Sequence, residues 1–334
     1  MKTLSKRLLN YVSNEGKYDE AAVIAARLAT GSNKKAAAEL GIPRRTVDRM
    51  VNRVVDRALN HGDMVTVETP NVLVMDIETA PILGYMWHFW KGGTSPTMME
   101  RDSYILSWAA KWLGEDEVMA DAICYNDGYS AGDEDDTRML AGIWNLLDEA
   151  DFVVAHNGDR FDIKRLNTGF LLAHMFPPSP YRPIDTLKIA KRVFGFSSNR
   201  LDYILQLLEG RGKHDSGGFE TWRACMAGDM EAWDNLIAYN KQDVQDLEDV
   251  YLKIRAWDTQ HPSAATHGPS TGKPVCTVCG SEDVRARYKE DGSRKTVSTG
   301  VSVFPLYTCN DCGHHMRSRE SLIRGNKAIF TNAK

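Results

Sequence analysis

The sequence predicts an α/β fold, a mixed sheet flanked by helices, with a small all-α module before it and a cysteine-rich module after it. Three observations carry this reading. Apolar runs bounded by turn residues, near 72–77, 103–112, 117–125 and 151–155, have the length and composition of buried strands. Helical spacing follows them, as in Val244, Leu247, Val250, Tyr251 and Ile254. The charge is also partitioned. Residues 1–63 hold 12 Lys+Arg against 7 Asp+Glu, residues 262–334 hold 11 against 6, and the centre holds 18 against 32. Two arms of +5 therefore flank a centre of −14, within a net charge of −4.

The first arm, 1–63, reads as three helices. Ala21 to Ala29 is an alanine-rich run, Gly31-Ser32-Asn33 breaks it, and Lys34 to Leu40 forms a second short helix. Gly41-Ile42-Pro43 turns the chain into Arg44 to Leu59, where Val47, Met50, Val51, Val54 and Val55 make an amphipathic stripe. The pattern resembles a helix-turn-helix, with Ile42 packing inward. On that reading Arg44, Arg45 and Thr46 open the last helix against phosphates or base edges, and Arg49 and Arg53 follow along its exposed face. A three-helix module that packs or binds protein fits the same spacing.

In the centre, Val72 to Met75 is an apolar run that ends in Asp76-Ile77-Glu78-Thr79. Strand residues two apart share a face, so both acids point into one small volume. A divalent cation relieves their repulsion, and hard oxygen ligands select magnesium or manganese over zinc. A second strand, Asp151 to Ala155, runs into His156-Asn157-Gly158-Asp159-Arg160-Phe161-Asp162, which places Asp162 near a helix start beside a strand end. Tyr239-Asn240-Lys241-Gln242-Asp243 then opens a helical segment, so a phenol and a carboxylate four apart share one helix face. The Gly114-Glu115-Asp116-Glu117 turn predicts an antiparallel hairpin.

Asp-x-Glu, Asn-x-x-x-Phe-Asp and Tyr-x-x-x-Asp, in this order, resemble the three exonuclease motifs of the DEDD superfamily, tyrosine subgroup, which implies a ribonuclease H-like fold. Ile184-Asp185-Thr186-Leu187, Asn199-Arg200-Leu201-Asp202-Tyr203 and the Gly-x-Gly-Lys ending at Lys213 are similar to the branch typified by YprB-like and phage-type exonuclease domains. The resemblance covers about residues 70 to 256. It implies 3′-to-5′ exonuclease activity with two Mg²⁺ or Mn²⁺ ions. Asp76 would bridge the ions, Glu78 and Asp243 would hold the one that activates water, and Asp162 would help fix the second, partly through water. Tyr239 would orient the attacking water, since a phenol with a reference pKa of about 10 is a poor base. Asn157 and Lys213 are candidate nucleic-acid contacts, Lys213 reading equally as a solvated loop lysine. Asp185 reads more readily as a helix cap than as a metal neighbour, and His156 as a packed or solvated ring.

After a loose stretch expected to be a linker, 257–274, the last module at 275–334 carries Cys276-Thr277-Val278-Cys279 and Cys309-Asn310-Asp311-Cys312. Two C-x-x-C pairs place four thiolates for one tetrahedral, structural Zn²⁺, each followed by a glycine that permits the knuckle turn, Gly280 and Gly313. The spacing resembles a zinc ribbon. His314 and His315 are surplus to a closed four-thiolate site, and Cys124 and Cys225 read as packed thiols. Between the knuckles Arg285, Arg287 and Lys289, with Tyr288, form a basic surface suited to nucleic acid or simply a solvated ribbon tip.

No run of 18 apolar residues and no signal-peptide core appears, so the expectation is a soluble cytoplasmic protein with no membrane partner, in host cytoplasm if phage-encoded. The expected activity is metal-dependent exonucleolytic hydrolysis of nucleic acid, single- or double-stranded DNA favoured and RNA possible, in a phage or prophage replication or repair accessory. Two alternatives stand beside it: a DNA-binding regulator with an inactive nuclease core, and a structure-specific or transposase-like endonuclease.

Overall fold

The computed structural model describes residues 12, 18–30, 32–60, 70–88, 95–211, 217–267, 273–299 and 301–323. The chain divides into two units, Asn71–Gln260 and Met1–Pro70 with His261–Lys334. Among the described residues no helix is long and apolar enough to cross a membrane.

The N-terminal segment forms α1 (Glu20–Thr30), α2 (Asn33–Leu40) and α3 (Arg44–Asn60). Gly41 closes α2 at φ 64°, a left-handed conformation that side chains resist, and this lets the Ile42 N–H bond back to Ala37 O at 3.1 Å. Ile42 thereby turns inward, as its position between glycine and proline predicts. It packs against a small core of Val23, Ile24, Ala37, Val47, Val51 and Val54.

The central unit holds β1 (Val72–Thr79), β2 (Leu83–Gly84), β3 (Met99–Arg101), β4 (Ile105–Trp112), β5 (Met119–Ala122), α4 (Thr137–Glu149), β6 (Phe152–Ala155), α5 (Asp162–Leu172), β7 (Arg182–Asp185), α6 (Thr186–Val193), α7 (Leu201–Glu209), α8 (Phe219–Met226) and α9 (Met230–Ile254). Five of these strands form one sheet in the order β5-β4-β1-β6-β7. β1 pairs antiparallel with β4, as does β4 with β5, whereas β6 runs parallel to β1 and to β7. The sheet is therefore mixed, flanked by helices, and ribonuclease H-like.

The expected strands appear with two differences. β5 stops at Ala122 because Ile123–Tyr125 coils into a 3-10 turn. β7, four residues with a proline, shows no alternation in the sequence, and its place at the sheet edge is where Pro183 is tolerated. The hairpin turn after β4 forms with Gly114 at φ 82°. α9 begins well before Tyr239, at Met230, where the Asp229 carboxylate accepts the N–H groups of Glu231 and Ala232.

The stretch expected to be a linker is ordered in its described parts. Asp258 is buried and takes Arg192 at 2.6 Å, and the Ala264 N–H donates to Thr277 O at 2.8 Å. These contacts satisfy a segment whose composition alone offers little to pack. β8 (Val284–Ala286), β9 (Thr296–Thr299), β10 (Ser302–Cys309) and β11 (His315–Arg317) follow, with β10 pairing all three others.

Gly158 sits in the turn between β6 and α5, where an added Cβ would lie 2.5 Å from the Ala155 Cβ. Gly158→Ala should cost about 1–3 kcal/mol in denaturant-induced unfolding, the usual penalty for forced overpacking. An unchanged midpoint would show that the turn opens freely.

Candidate functional site

Alternation along β1 puts Leu73, Met75 and Ile77 on one sheet face, where they join the core that includes Met139, Leu140 and Ile143 of α4. Asp76 and Glu78 therefore face the other way, with Ser107, Ala109 and Lys111 beside them on β4 by register. Helix α9 covers this face and is tied to it at two levels. Ser107 Oγ donates to Asn240 Oδ1 at 3.0 Å, and Asn240 Nδ2 donates to Asp76 Oδ2 at 2.8 Å. Farther along, Lys111 forms a buried ion pair with Glu248, whose other oxygen accepts the Gly114 N–H at 2.8 Å. Four strand residues span about 13 Å and eight helical residues about 12 Å. Both ties therefore close together without bending either element.

That registration brings Asp243 to Asp76. One carboxylate oxygen each from Asp76, Glu78 and Asp243 lies within 4.8 Å of the others. At an effective dielectric of about 20, each such pair of charges repels by roughly 3 kcal/mol or more. Three hard, anionic oxygens with no nitrogen or sulfur donor among them suit a divalent ion of the magnesium or manganese kind. Asp162 stands outside this trio. It opens α5, is buried, and accepts the Ile77 N–H at 3.3 Å, so its carboxyl lies against β1 between the two acids. Burial pushes its pKa up to about 7, helped by the charge of Asp185 and opposed by its backbone hydrogen bonds. Tyr239 is 9 % exposed, one turn before Asp243, with its ring edge-on to Trp222 at 6.0 Å between centroids.

Asp76 and Asp243 open onto a cleft of about 540 Å³ whose far wall includes Asn157, Lys191, Asn199 and Arg200. Asn157 adopts φ 70°, and its N–H donates to Asp185 Oδ1 at 3.0 Å. The same oxygen accepts the N–H groups of Leu187 and Lys188, making Asp185 the cap of α6. Both His156 ring nitrogens are engaged, Nδ1 with Thr186 Oγ1 at 2.9 Å and Nε2 with Asn199 O at 3.0 Å, and the ring lines the same cleft. Arg200 forks onto Asp202, with nitrogens 2.9 and 3.2 Å from its two oxygens. Lys213 lies outside the described residues.

In the C-terminal module Cys276, Cys279, Cys309 and Cys312 converge, with sulfurs 3.6 Å apart in the pairs Cys276–Cys312 and Cys279–Cys309. A tetrahedron of Zn–S bonds near 2.3 Å has edges of about 3.8 Å, so the donor set fits zinc. The two knuckles are alike. Gly280 and Gly313 have φ 77° and 80°, and their N–H groups donate to Cys276 O and Cys309 O at 3.0 and 3.1 Å. The Cys276 thiol is drawn down to about 4 by hydrogen bonding from Cys279, whose own proton is held correspondingly tightly. His314 and His315 are not in the four-cysteine group.

Of the other residues expected to touch nucleic acid, Arg45 and Arg49 are exposed and Thr46 is half-buried. Arg44 pairs with Asp48 at 3.7 Å, while Arg53 reaches the buried Glu20 at 3.4 Å and so ties α3 to α1. Arg285 and Lys289 are exposed, and Arg287 is half-buried with a nitrogen 3.5 Å from Thr308 Oγ1. The sequence reading overlooked Ser107 and Asn240. Asn240 had one available signal, a polar residue directly after Tyr239, three positions before Asp243 and so on much the same helix face.

Asn240→Ala removes the donor to Asp76 and strands the Ser107 hydroxyl. Manganese affinity, read by titration calorimetry, should fall about ten- to a hundredfold, as losing a ligand's hydrogen-bond partner usually does. Unchanged affinity would assign Asn240 to packing alone. The ribbon should carry one zinc per chain by elemental analysis, and Cys309→Ser should abolish that zinc while leaving the thermal transition of the central unit in place. A zinc content unaltered by the substitution would reject the four-thiolate site.

Residues 113–255 match the RNase_H_2 family, of the RNase_H superfamily. That stretch holds Asp162, Tyr239 and Asp243 and begins after β1. No curated protein matches the chain. Among solved structures the chain is similar to the family B DNA polymerase of the hyperthermophilic archaeon Pyrobaculum calidifontis, at 14 % identity and a TM-score of 0.40. The similarity covers 56 % of this chain and 25 % of that one. The central unit thus contains a ribonuclease H-like superfamily domain.

Proposed function

We propose that the protein is a metal-dependent 3′-to-5′ exonuclease acting on nucleic acid, DNA foremost, as a phage or prophage accessory of replication or repair. The observation that carries this is the convergence of Asp76, Glu78 and Asp243 on one sheet face, with Tyr239 one helical turn away. The match to the RNase_H superfamily supports a nuclease. Two bound Mg²⁺ or Mn²⁺ ions would supply a hydroxide at neutral pH and charge stabilisation for the attacking and leaving oxygens.

The chain's own groups divide that task. Asp76, steadied by Asn240, would be the ligand shared between the ions, and Glu78 and Asp243 would hold the ion that activates water. Asp162, held against the Ile77 N–H, would help fix the second ion, partly through water. Tyr239 aims the attacking water with its hydroxyl. Lys191, across the cleft, supplies positive charge for the scissile strand's phosphates. The three N-terminal helices, read as a helix-turn-helix, and the zinc ribbon add basic surface that recruits the polyanion. In this reading the ribbon zinc is structural.

The test uses 5′-end-labelled single- and double-stranded DNA and RNA with magnesium, manganese or chelator. Wild type should shorten a labelled strand stepwise from its 3′ end. Asp76→Asn and Asp243→Asn should each lower the rate about a thousandfold or more while binding persists in fluorescence anisotropy. Internal cuts would replace the exonuclease reading with an endonuclease, and hydrolysis that survives chelator would overturn the metal mechanism.

A further inference from the structure

Between the acid end of β1 and the start of β4 the described residues 80–88 and 95–104 lie outside the five-stranded sheet. The base of this excursion is fastened beside the acids. The Ala80 N–H donates to Tyr104 O at 2.9 Å and Ser103 Oγ donates to Ala80 O at 2.7 Å, two residues beyond Glu78. Within this excursion β2 pairs with β3, and the Tyr85 N–H donates to Met98 O at 2.8 Å. Gly84 makes the approach possible, because a Cβ there would meet Met98 O at 2.8 Å. The paired strands therefore hold the Tyr85 backbone in place by a hydrogen bond.

What this segment presents is unusual for a surface. Tyr85 is 72 % and Trp87 85 % exposed, beside a groove of about 540 Å³ lined by Ile82, Gly84, Met86, Pro96 and Met98. The sequence there sets Tyr85, Trp87, Phe89 and Trp90 within six positions in a chain that is 9 % aromatic. Phe89 and Trp90 lie outside the described residues. Large rings left in water with no core to join suit a flat apolar partner.

Charge narrows the choice of partner. The central unit holds 18 Lys+Arg against 31 Asp+Glu over 71–260, so electrostatics there oppose a polyanion. Stacking is indifferent to that field, since each base of an unpaired strand offers a π face, whereas paired bases are already stacked. We propose that Tyr85 and Trp87 form a stacking platform for unpaired bases of a single-stranded nucleic acid, carried on the segment that leaves β1 just past Glu78. This deepens the exonuclease reading and rests on it for the orientation of the strand. It assigns an unpaired strand, DNA or RNA, as the preferred polymer.

The test separates the platform from the chemistry. Full-length wild type, Tyr85→Ala, Trp87→Ala, the double variant and the double phenylalanine variant are compared by anisotropy with labelled single-stranded oligonucleotides and a blunt duplex, in calcium. Hydrolysis of methyl p-nitrophenyl phosphate with manganese reports the acid cluster, because that ester carries no base.

Each ring removed should lower single-strand affinity about tenfold, and the double alanine variant about a hundredfold. The phenylalanine pair should keep affinity within about threefold, and duplex affinity and ester hydrolysis should hold within about twofold. Single-strand affinity unchanged by the double alanine variant overturns the platform. So does an equal fall in ester hydrolysis, which would make the hairpin a support for the acids. A wild type that binds single strands through these rings yet hydrolyses neither polymer nor ester would sustain the platform and sink the exonuclease reading instead.

Discussion

Mutual repulsion among Asp76, Glu78 and Asp243 is the constraint around which the central unit is organised. Carboxylates confined within 4.8 Å of one another drift apart unless the elements carrying them are fixed by contacts elsewhere. Two of the acids lie two residues apart on one strand, so their spacing is built into the pleat. The third must be delivered by α9, and a helix lying on a sheet is free to slide or roll unless something registers it. The Ser107–Asn240–Asp76 chain and the Lys111–Glu248 pair do this at separate levels of the same strand. The ion pair is buried, where desolvation offsets much of its attraction, and its value lies in specifying one position for the helix.

The same logic explains why an acidic centre suits a protein whose proposed substrate is an acid. A negative field gathers divalent cations, and those cations then accept phosphate. The polymer itself gains nothing from that field at long range. Attraction falls to the basic stretches at the chain ends and to single cations such as Lys191 at the cleft. Several arginines that composition counts toward such attraction are engaged within the fold. Arg53 is on Glu20, Arg200 on Asp202, and Arg294 lies over the rings of Tyr288 and Tyr307. Counting basic residues therefore overstates the surface available to a phosphate backbone.

What the sequence made legible follows from the range of the forces involved. β1, β4 and β6 declare themselves because extensive burial demands apolar runs broken by few polar residues, and the hairpin after β4 because Gly114 needs a left-handed turn. β7 stays hidden because an edge strand of four residues needs neither alternation nor an apolar run. The start of α9 at Met230 was missed for a related reason. The Tyr239 and Asp243 spacing marks the helix only from its middle, and the Asp229 cap ten residues earlier resembles any other surface acid. At the site, residues that carry charge or sulfur announced their chemistry by type and order. Asn240 and Ser107 did not, because their roles exist only once α9 lies across β4, a relation separated by 133 positions in the chain.

Asp162 adds a link between fold and ligand. Burial pushes the pKa of Asp162, a carboxyl 2 % exposed, up to about 7, and it stands beside β1 where the neighbouring trio adds more negative charge. Close carboxylates of this kind cost the fold desolvation and repulsion, which the hydrogen bonds from Asn240 and from the Ile77 N–H offset in part. A divalent ion held by Asp76, Glu78 and Asp243 would cancel much of the repulsion among them. By linkage, whatever free energy the fold spends in forcing these groups together reappears as tighter cation binding relative to the unfolded chain. The two registering contacts on α9 consequently act on affinity as well as on shape. Loosening either lets the acids relax apart, and relaxed acids have less to gain from an ion.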